Sequence, residues 1–375
     1  MGGELIYDVA IAGGGPGGAA CATLCAEAGL RTVVIEKGRF PRDKVCGDCV
    51  NPGCWGVFER LGVVERVLAA PHARVGSVAF FGGKERQVRF PLRGGERGEI
   101  AISRRVLDDI LLRLCADAGA EVCEEMTIRA VSRGGDGVWG IEAGARSFAA
   151  RRLVAADGRN STVARLRGVA PAARRDRVGL QAHVASAAGV ENGIALHLLA
   201  EGYCGVAPVG EGVTNFCMVA TADRMEALKA AVGARFGIPA TQEWRAIAPL
   251  ERAPVGPLRD GVLYVGDAAR VVEPFTGEGI YYALQSGRLA AEHIVAGTVE
   301  GYPAAHAALY RRRLWINRLA RWTVTHPRSG GLLLQAMSVW PGSLRYLVER
   351  VVRSEAKGGA GAAMAAGKCE RAGIR

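Results

Sequence analysis

Three cysteines stand close together in the segment CGDCVNPGC, which spans residues 46–54. The thiols of Cys46, Cys49 and Cys54 could bind a metal ion, form a redox-active disulfide or line a cofactor pocket. A structural zinc site needs four ligands, and no second close pair of cysteines or histidines has the spacing of such sites, so we expect no metal. The choice between the other two roles depends on the elements that hold the cysteines.

A glycine motif precedes these cysteines. The segment YDVAIAGGGPGGAACATLCAEAGLRTVVIEKG predicts a strand at 7–12, a helix at 16–28 and a second strand at 32–36, which form a βαβ unit. Glycines at the first strand-to-helix turn match G-x-G-x-x-G, in which they permit the turn, the approach of a pyrophosphate and the packing of the helix on the sheet. Glu36 ends the second strand, where a carboxylate accepts hydrogen bonds from a ribose. The unit predicts a dinucleotide site formed by Gly13, Gly15, Pro16, Gly18, Glu36 and Lys37.

The rest of the chain alternates between helical and strand patterns. Residues 101–122 predict a long helix that begins after Ser103, and residues 151–168 predict a strand, a turn and a helix. Between about 175 and 250, short runs such as IALHLLA and TNFCMVA predict an antiparallel sheet. A strand, a loop and a long helix follow, and the chain after residue 300 reads as helical with a small-residue tail. We therefore expect an α/β fold.

Composition narrows the class of protein. The 375 residues are 49% apolar and carry a net charge of +11. Ten cysteines without a recognisable secretion signal predict reduced thiols in the cytoplasm. No apolar stretch reaches the roughly 20 residues that span a bilayer, and no zinc-finger or RNA-binding signature accompanies the positive charge. We therefore expect no transmembrane helix and no nucleic-acid partner.

Three further motifs are distributed along the chain. The segment ADGRNSTVAR contains Asp157 followed by a glycine, VGDAARVVEPFTGEGIYYALQSG contains Gly266 and Asp267, and Arg104 begins the pattern Arg-x-x-Leu-Asp. Together with the glycine motif, these segments resemble the superfamily of flavoprotein aromatic hydroxylases and geranylgeranyl reductases, which includes flavin-dependent halogenases. The resemblance covers about residues 5–300 and implies an FAD-dependent oxidoreductase.

The resemblance also assigns parts of the FAD site. It implies that Asp267 contacts the ribityl chain and that Arg104 reaches the cofactor. The turn PFTGEGI places backbone N–H groups at the start of a helix, where the negative charge of a reduced flavin is stabilised. Besides the residues of the glycine motif, the expected cofactor contacts are Arg104, Asp157, Gly266, Asp267, Pro274, Gly277, Gly279 and Ile280.

The fold implied by the resemblance is a Rossmann-like FAD-binding domain of the glutathione-reductase type, interleaved with an antiparallel-sheet substrate domain and followed by a helical C-terminus. We expect three FAD-binding parts, at 1–70, 101–170 and 256–300, the second of them including a β-meander. The remaining expected segments are the two parts of the substrate sheet at 71–100 and 171–255, the C-terminal helices at 301–355 and a flexible tail at 356–375.

The resemblance implies different roles for the three cysteines. CVNPGC resembles the active-site disulfide of glutathione and lipoamide reductases, but those enzymes carry a second dinucleotide domain. The second G-x-G-x-x-G match of this chain, at 135–140, lies between two alternating runs that predict a β-hairpin. A redox-active disulfide between Cys49 and Cys54 is therefore disfavoured. RDKVCGD resembles the Lys-x-Cys-Gly-(Asp/Glu) segment of geranylgeranyl reductases, which implies that Cys46 lies near the flavin.

A reduced flavin can deliver a hydride to a double bond or react with O₂ and transfer oxygen. Reductases and halogenases of the superfamily typically carry Tyr-x-Trp-x-(Phe/Ile)-Pro, whereas GYCGVAPVGEG at 202–212 keeps Tyr203 and Pro208 without the tryptophan. This departure favours a monooxygenase that acts on a lipophilic phenolic, quinone, polyketide or isoprenoid-type molecule of secondary metabolism. The Cys46 segment favours the alternative, an FAD-dependent C=C reductase of an isoprenoid or lipid. A non-catalytic flavin-binding protein is the second alternative.

Polar side chains in the substrate sheet are candidates for orienting a phenol or carbonyl. With Cys46, the candidate catalytic residues are Gln181, His183 and Tyr203, and His197 is a further candidate for the pocket. No dedicated NAD(P)H motif is present, so we expect transient NAD(P)H or another electron donor.

The segment LYRRRLWINRLARW at 309–322 mixes arginines with tryptophans and leucines. It predicts either a helix packed on the catalytic domain or a peripheral contact with a membrane surface. The expected assembly is a monomer or a homodimer.

Overall fold

Two large β-sheets form the framework of the protein. The computed structural model describes residues 5–82, 86–92, 95–174, 177–185, 193–311, 313–326 and 342. The helices are α1 (Pro16–Glu27), α2 (Trp55–Arg60), α3 (Val64–Ala69), α4 (Arg104–Asp117), α5 (Thr162–Leu166), α6 (Met225–Phe236), α7 (Gly279–Val295), α8 (Tyr302–Arg311) and α9 (Leu314–Thr325), with short 3₁₀ turns at Pro52–Cys54, Gly95–Arg97, Ala222–Arg224, Gly266–Ala268, Pro274–Thr276 and Val299–Gly301. The strands are β1 (Ile6–Ala12), β2 (Thr32–Ile35), β3 (Cys49–Val50), β4 (Ala73–Arg74), β5 (Ser77–Gly82), β6 (Arg86–Pro91), β7 (Ile100–Ala101), β8 (Glu121–Cys123), β9 (Ile128–Arg133), β10 (Trp139–Ala143), β11 (Arg146–Ala155), β12 (Ala173–Arg174), β13 (Val178–Ala185), β14 (Ile194–Leu198), β15 (Gly202–Gly210), β16 (Val213–Ala220), β17 (Arg245–Ile247), β18 (Glu251–Arg252), β19 (Leu258–Arg259) and β20 (Val262–Tyr264).

The first sheet has a parallel core in the order β20-β11-β1-β2-β8. Its central strands are almost wholly buried, because α1 and α4 pack on one face and the β9–β10 hairpin with α5 packs on the other. Helices α1 and α7 pack very closely: a Cβ on Gly287 would lie 2.1 Å from the carbonyl oxygen of Gly17. This close contact brings the N-termini of both helices to the same edge of the sheet, where the parallel strands end.

Two sequence predictions about this sheet have different outcomes. The hairpin predicted around residues 135–140 is confirmed, since β9 and β10 pair antiparallel. The helix predicted for 101–122 ends at Asp117, and β8 follows it as a parallel partner of β2. Gly119, at φ +95°, allows the chain to leave the helix, and pairing with β2 outweighs the helical preference of the last residues.

The second sheet has the order β17-β13-β16-β15-β14-β5-β6. All its pairs are antiparallel except β14 with β5, so a segment from early in the chain completes a sheet formed mainly by a later one. Helix α6, which the alternating pattern of 175–250 did not predict, covers one face through Leu228 and Val232. The opposite face is turned toward the first sheet.

The C-terminal part of the described chain consists of α8 and α9. Helix α9 carries Ile316, which is buried, and Trp315 and Trp322, which are exposed. In the part of the chain that the structure describes, no helix is long and apolar enough to cross a bilayer. The tail predicted for 356–375 lies outside the described residues.

Candidate active site

A cavity of about 590 Å³ lies between the two sheets. We call its wall from the loops of the first sheet the polar side, and its wall from the second sheet, residues 272–275 and α9 the apolar side. The polar side includes Gly13, Gly15, Glu36, Lys37, Arg42, Lys44, Arg104, Asp157, Arg159 and Asp267. The apolar side includes Val78, Phe80, Ile194, Leu196, Val206, Val219, Ile247, Leu250, Val272, Phe275, Ile316 and Leu319.

The glycine turn between β1 and α1 leaves backbone open to the cavity. A Cβ on Gly18 would lie 1.9 Å from the carbonyl oxygen of Gly13, so only glycine allows α1 to approach β1 this closely. A Cβ on Gly15 would meet only an Arg42 nitrogen, at 3.9 Å, so the turn is free on its cavity side. The first turn of α1 has neither a side-chain cap nor an acidic residue, so its N–H groups are available to an anion such as a pyrophosphate.

Glu36 closes the far end of the glycine turn. Its carboxylate accepts hydrogen bonds from the backbone N–H groups of Gly14 and Gly38, each at 2.8 Å. A carboxylate has about four acceptor positions, so two remain for the hydroxyls of a ribose. Glu36 therefore both orders the turn and keeps the capacity to bind a nucleotide.

Polar groups without protein partners lie along the middle of the polar side. Asp157 Oδ2 accepts hydrogen bonds from the backbone N–H groups of Thr162 and Val163, but its buried Oδ1 has no partner in the described structure. Two buried guanidinium nitrogens of Arg159, Nε and Nη1, are also unpartnered there. Because buried polar groups are ordinarily hydrogen bonded, these atoms fit a polar ligand that would complete their bonding.

Lys44 adds a further cation to this wall. Burial lowers the pKa of its ammonium group, and nearby Arg104 lowers it further, whereas Asp267 opposes both effects. No carboxylate lies within ion-pair distance of Lys44 among the described residues, although Asp267 pairs with Arg159 at 3.4 Å. The wall therefore carries uncompensated positive charge, which an anionic cofactor would balance.

Arg104 lies beside Cys46 on the cavity wall. Its guanidinium forms a bidentate pair with buried Asp108, at 2.6 and 2.8 Å, and interacts with the Cys46 thiol. Burial raises the pKa of that thiol, while Arg104 lowers it. The Cys46 thiol therefore lines the cavity next to a fixed positive charge.

The loop that carries Cys46 is tied to the second sheet. Gln181 Nε2 and Asn215 Nδ2 each donate to the Cys46 carbonyl oxygen at 2.9 Å. His183 Nε2 lies 2.6 Å from Oδ2 of Asp48, whose carboxyl is wholly buried and whose pKa is raised by that burial. Asp48 has φ +59°, a conformation uncommon for a residue other than glycine. Neither Gln181 nor His183 lines the cavity: both lie behind the cysteine loop, where Gln181 holds the Cys46 carbonyl and His183 holds the Asp48 carboxyl.

Tyr203 does line the cavity, and its hydroxyl donates to Glu273 at 3.3 Å. Glu273 is held in turn by a bidentate pair with Arg177, at 3.1 and 2.9 Å, and both are buried. Burial raises the pKa of Tyr203 well above its ordinary value, so the phenol stays protonated. His197 is on the other face of the sheet, stacked on Phe81 with ring centroids 4.3 Å apart, and burial lowers its pKa to about 4.

The turn before α7 completes the site. Gly277 has φ +68°, and a Cβ there would lie 3.7 Å from Cβ of Cys49. Gly277, Gly279 and Ile280 line the cavity, and the N-cap residue of α7, Glu278, makes no side-chain capping bond. The first backbone N–H groups of α7 are thus available to negative charge. Cys49 and Cys54 are free thiols in this structure, and burial raises the pKa of both.

Glu99 is a buried carboxyl on the cavity wall that belongs to none of the motifs recognised in the sequence. It precedes β7, is 8% exposed, and its Oε2 has no hydrogen-bond partner in the described part of the chain. Burial and, to a lesser extent, the nearby carboxylate of Glu278 together raise its pKa to about 8. The group is therefore protonated at neutral pH.

Most sequence-predicted residues meet in one place. The expected cofactor contacts all line the cavity except Gly18, which packs α1 on β1. Six residues of the site were not predicted from the sequence. Some lie next to a motif without being part of it, and the others reach the site only because of how the chain folds. The six are Arg42, Lys44, Asp48, Glu99, Arg159 and Glu273.

A family model described as an FAD binding domain matches residues 6–298 of the chain. The chain belongs to this FAD-binding family. It is an FAD-dependent oxidoreductase, and the expected superfamily, fold class and cofactor are confirmed. The open glycine turn, the unpartnered atoms of Asp157 and Arg159 and the uncompensated charge of Lys44 are what such a cofactor requires.

The curated relatives of this oxidoreductase include two reductases. Menaquinone reductase of Mycolicibacterium smegmatis is 29% identical to it over 354 residues, which cover 86% of this chain and 85% of the relative. Digeranylgeranylglycerophospholipid reductase of Methanosphaerula palustris is 29% identical over 309 residues, which cover 76% and 75%.

Solved structures show the same fold at lower identity. A probable FAD-dependent monooxygenase of Pseudomonas aeruginosa is 21% identical, with a TM-score of 0.72 over 92% of this chain and 99% of that one. The myxobacterial chondrochloren halogenase is 21% identical, with a TM-score of 0.73 over 89% and 90%.

Proposed function

We propose that this oxidoreductase reduces carbon–carbon double bonds in the isoprenoid chain of a lipid or quinone. The apolar side of the cavity carries the proposal. Its polar side-chain atoms belong to Tyr203, Cys217 and Thr323, and the hydroxyls of Tyr203 and Thr323 already donate to Glu273 and Leu319. Such a wall suits a hydrocarbon chain, which gains about 0.8 kcal/mol for each CH₂ removed from water.

The names of the relatives support the same choice. Of the two curated relatives described above, one is named a reductase of menaquinone and the other of digeranylgeranylglycerophospholipid, and both match this chain over most of its length. The motif with Cys46 had favoured this reading from the sequence. The solved structures named as a monooxygenase and a halogenase share the fold at 21% identity, which carries no argument about the reaction.

Reduction of a double bond adds a hydride and a proton. FAD supplies the hydride when it is bound and reduced. We assign the proton to the Glu99 carboxyl, which lines the cavity near Cys49 and Glu278, and which burial keeps protonated at neutral pH. Cys46 is proposed to line the flavin end of the pocket, while Gln181 and His183 position its loop.

Product analysis tests the reaction. The FAD-loaded protein is reduced anaerobically with dithionite, so that the result does not depend on the electron donor, and is given a prenylated quinone or a prenylated phospholipid. We expect the substrate to gain two hydrogens per double bond by mass spectrometry. Full reduction of the flavin without any such product from either substrate class would contradict the proposal.

Monooxygenation is the second candidate, and one observation favours it. Gly205 and Ala207 line the cavity on β15, the strand where reductases of the superfamily typically carry aromatic residues. The same reduced protein exposed to ¹⁸O₂ separates the two candidates. Isotopic oxygen in the product supports monooxygenation, whereas hydrogen gain without oxygen supports reduction.

Access to a membrane-dissolved substrate is part of the proposal. Trp315 and Trp322 are 44% and 42% exposed and lie seven residues apart on α9, so they share a face of the helix. Exposed tryptophans beside arginines are typical of a helix that lies in a membrane interface. We expect the protein to float with anionic vesicles and a Trp315→Ser/Trp322→Ser variant to remain in the aqueous fraction. Equal flotation of both proteins would remove α9 as the contact.

A further inference from the structure

A second cavity, of about 480 Å³, lies next to the first. It is formed by residues 250–254, by the loop at 270–273 and by α9. Leu250 and Val272 line both cavities, and successive residues of α9 face one or the other. The second cavity is therefore separated from the apolar side by a wall about one side chain thick.

The second cavity is strongly basic. Its lining contains five arginines and two glutamates: Arg177, Arg252, Arg270, Arg318, Arg321, Glu251 and Glu273. Arg177 pairs with Glu273, and Arg321 pairs with Glu251. Within the described ranges, no carboxylate lies within ion-pair distance of Arg252, Arg270 or Arg318. The lining thus carries three positive charges beyond those that its own glutamates balance.

The three uncompensated arginines come from three different elements. Arg252 is on β18, Arg270 follows the Gly266–Ala268 turn and Arg318 is on α9. Arg252 and Arg270 are partly buried and Arg318 is exposed. Burial lowers the pKa of Arg252, whereas the nearby carboxylates of Asp157 and Asp267 oppose that effect, and its Nη2 donates to the Ala268 carbonyl oxygen at 3.5 Å. The three side chains line one concavity of about 480 Å³, which is within the size range of small-ligand sites.

We infer that this second cavity binds a phosphate or diphosphate group. Arginine suits this ligand because its guanidinium donates two parallel hydrogen bonds to phosphate oxygens. The group could belong to the head of the isoprenoid substrate, whose chain would pass Leu250 and Val272 into the apolar side, or to the nicotinamide donor. The first source rests on the proposed function, whereas the anion site itself does not.

A polar connection crosses the wall between the cavities. Tyr203 lines the first cavity and Glu273 lines the second, and the Tyr203 hydroxyl donates a hydrogen bond to Glu273. The Tyr203 ring also packs edge-on against Phe275. Arg177 fixes Glu273 from the second cavity. A phosphate bound there would therefore lie close to the network that orients the Tyr203 ring in the substrate pocket.

Binding of inorganic pyrophosphate tests the site without turnover. Isothermal titration of the FAD-loaded protein at low ionic strength is compared with an Arg270→Gln/Arg318→Gln variant and with a matched control, Arg129→Gln/Arg259→Gln, which removes two exposed arginines outside the cavity. We expect binding that weakens at least tenfold in the cavity variant and is unchanged in the control. No binding to the wild type, or equal weakening in both variants, would overturn the inference.

Steady-state kinetics identify the source of the phosphate. If the substrate head occupies the cavity, the cavity variant raises KM for a prenyl diphosphate about tenfold more than KM for the prenyl alcohol of the same length. If the donor occupies it, KM for NADPH rises instead. Arginine-dependent pyrophosphate binding without double-bond reduction would retain the site and reject the proposed function. Double-bond reduction without pyrophosphate binding would retain the proposed function and reject the anion site.

Discussion

The two sides of the main cavity are constructed in different ways. The polar side is formed by loops at the carboxyl ends of β1, β2, β11 and β20, and each loop is a short contiguous motif whose residue types follow from backbone geometry. The apolar side is assembled from β5, β14, β15, β16 and α9, which are distant in sequence and supply ordinary aliphatic residues. Cofactor binding thus depends on a few irreplaceable positions, whereas substrate choice depends on the shape of a wall that tolerates exchange.

Substitution in the glycine turn should have the largest effect. Gly18→Ala places a methyl group 1.9 Å from a backbone oxygen of Gly13, and neither backbone segment can yield without moving α1 off β1. We expect loss of bound FAD and a lower Tm, measured by flavin absorbance and by thermal unfolding. Gly56→Ala is the control, since a Cβ there meets nothing within 4 Å. Retention of FAD by Gly18→Ala would contradict the geometry of the turn.

The pH dependence of stability should be the next largest effect. In the folded protein the pKa of Glu99 is raised from 4.5 to about 8, so the folded state binds this proton more tightly than the unfolded state. The resulting stability is fully present below pH 4.5 and is lost as the pH rises through about 8. We expect the wild type to lose about 5 kcal/mol relative to Glu99→Gln between these limits, measured by urea unfolding.

The control for that experiment is Glu96→Gln. Glu96 is a neighbouring carboxylate whose side chain is 81% exposed, so its removal should leave the pH profile unchanged. A wild-type profile parallel to that of Glu99→Gln would show that the Glu99 carboxyl is ionised in the folded state, and would remove it as a proton source.

Adding bulk to the apolar side should produce a smaller effect, which is confined to substrate binding. Leu319→Trp adds bulk on the cavity wall from α9, away from the FAD loops. We expect KM for a prenylated substrate to rise about tenfold, which corresponds to about 1.4 kcal/mol, while flavin absorbance stays constant. Val295→Trp, at an exposed position on α7, is the control. A loss of FAD in Leu319→Trp would mean that the two sides are not separable.

Removal of the Tyr203 hydroxyl should have the smallest effect. Tyr203→Phe deletes one donor to Glu273, which keeps its bidentate pair with Arg177. We expect a loss of about 1 kcal/mol in the free energy of unfolding, measured by urea denaturation. A much larger loss would indicate that the Arg177–Glu273 pair depends on this hydroxyl.

The difference between the two sides also explains what the sequence could predict. The glycine turn, Asp157 and the 274–280 turn were identifiable because a tight turn or a helix N-terminus restricts the residues it accepts. Glu99 was not identifiable, because nothing in its local sequence distinguishes a buried carboxyl from a solvated one.

The histidines of the second sheet illustrate the remaining difficulty. His183 and His197 are both in alternating strands, but His183 faces the cysteine loop while His197 is stacked on Phe81 on the other face. Their faces depend on strand register, and β14 acquires its register partly by pairing with β5, more than 100 residues earlier in the chain. The catalytic roles given to Gln181, His183 and Tyr203 stay predictions, although their positions are now defined.

The unusual backbone of Asp48 has a consequence for how the protein opens. A left-handed aspartate persists only where its surroundings hold it, and here His183 of the second sheet holds the side chain while the neighbouring Cys46 carbonyl is bound by Gln181 and Asn215. If the two sheets separated, the backbone strain at Asp48 would be relieved and the loop at residues 46–48 would lose its contacts. Amide hydrogen exchange across residues 46–48 should therefore follow the opening of the whole interface as one event, and a bound flavin should slow exchange in the second sheet as well as in its own loops.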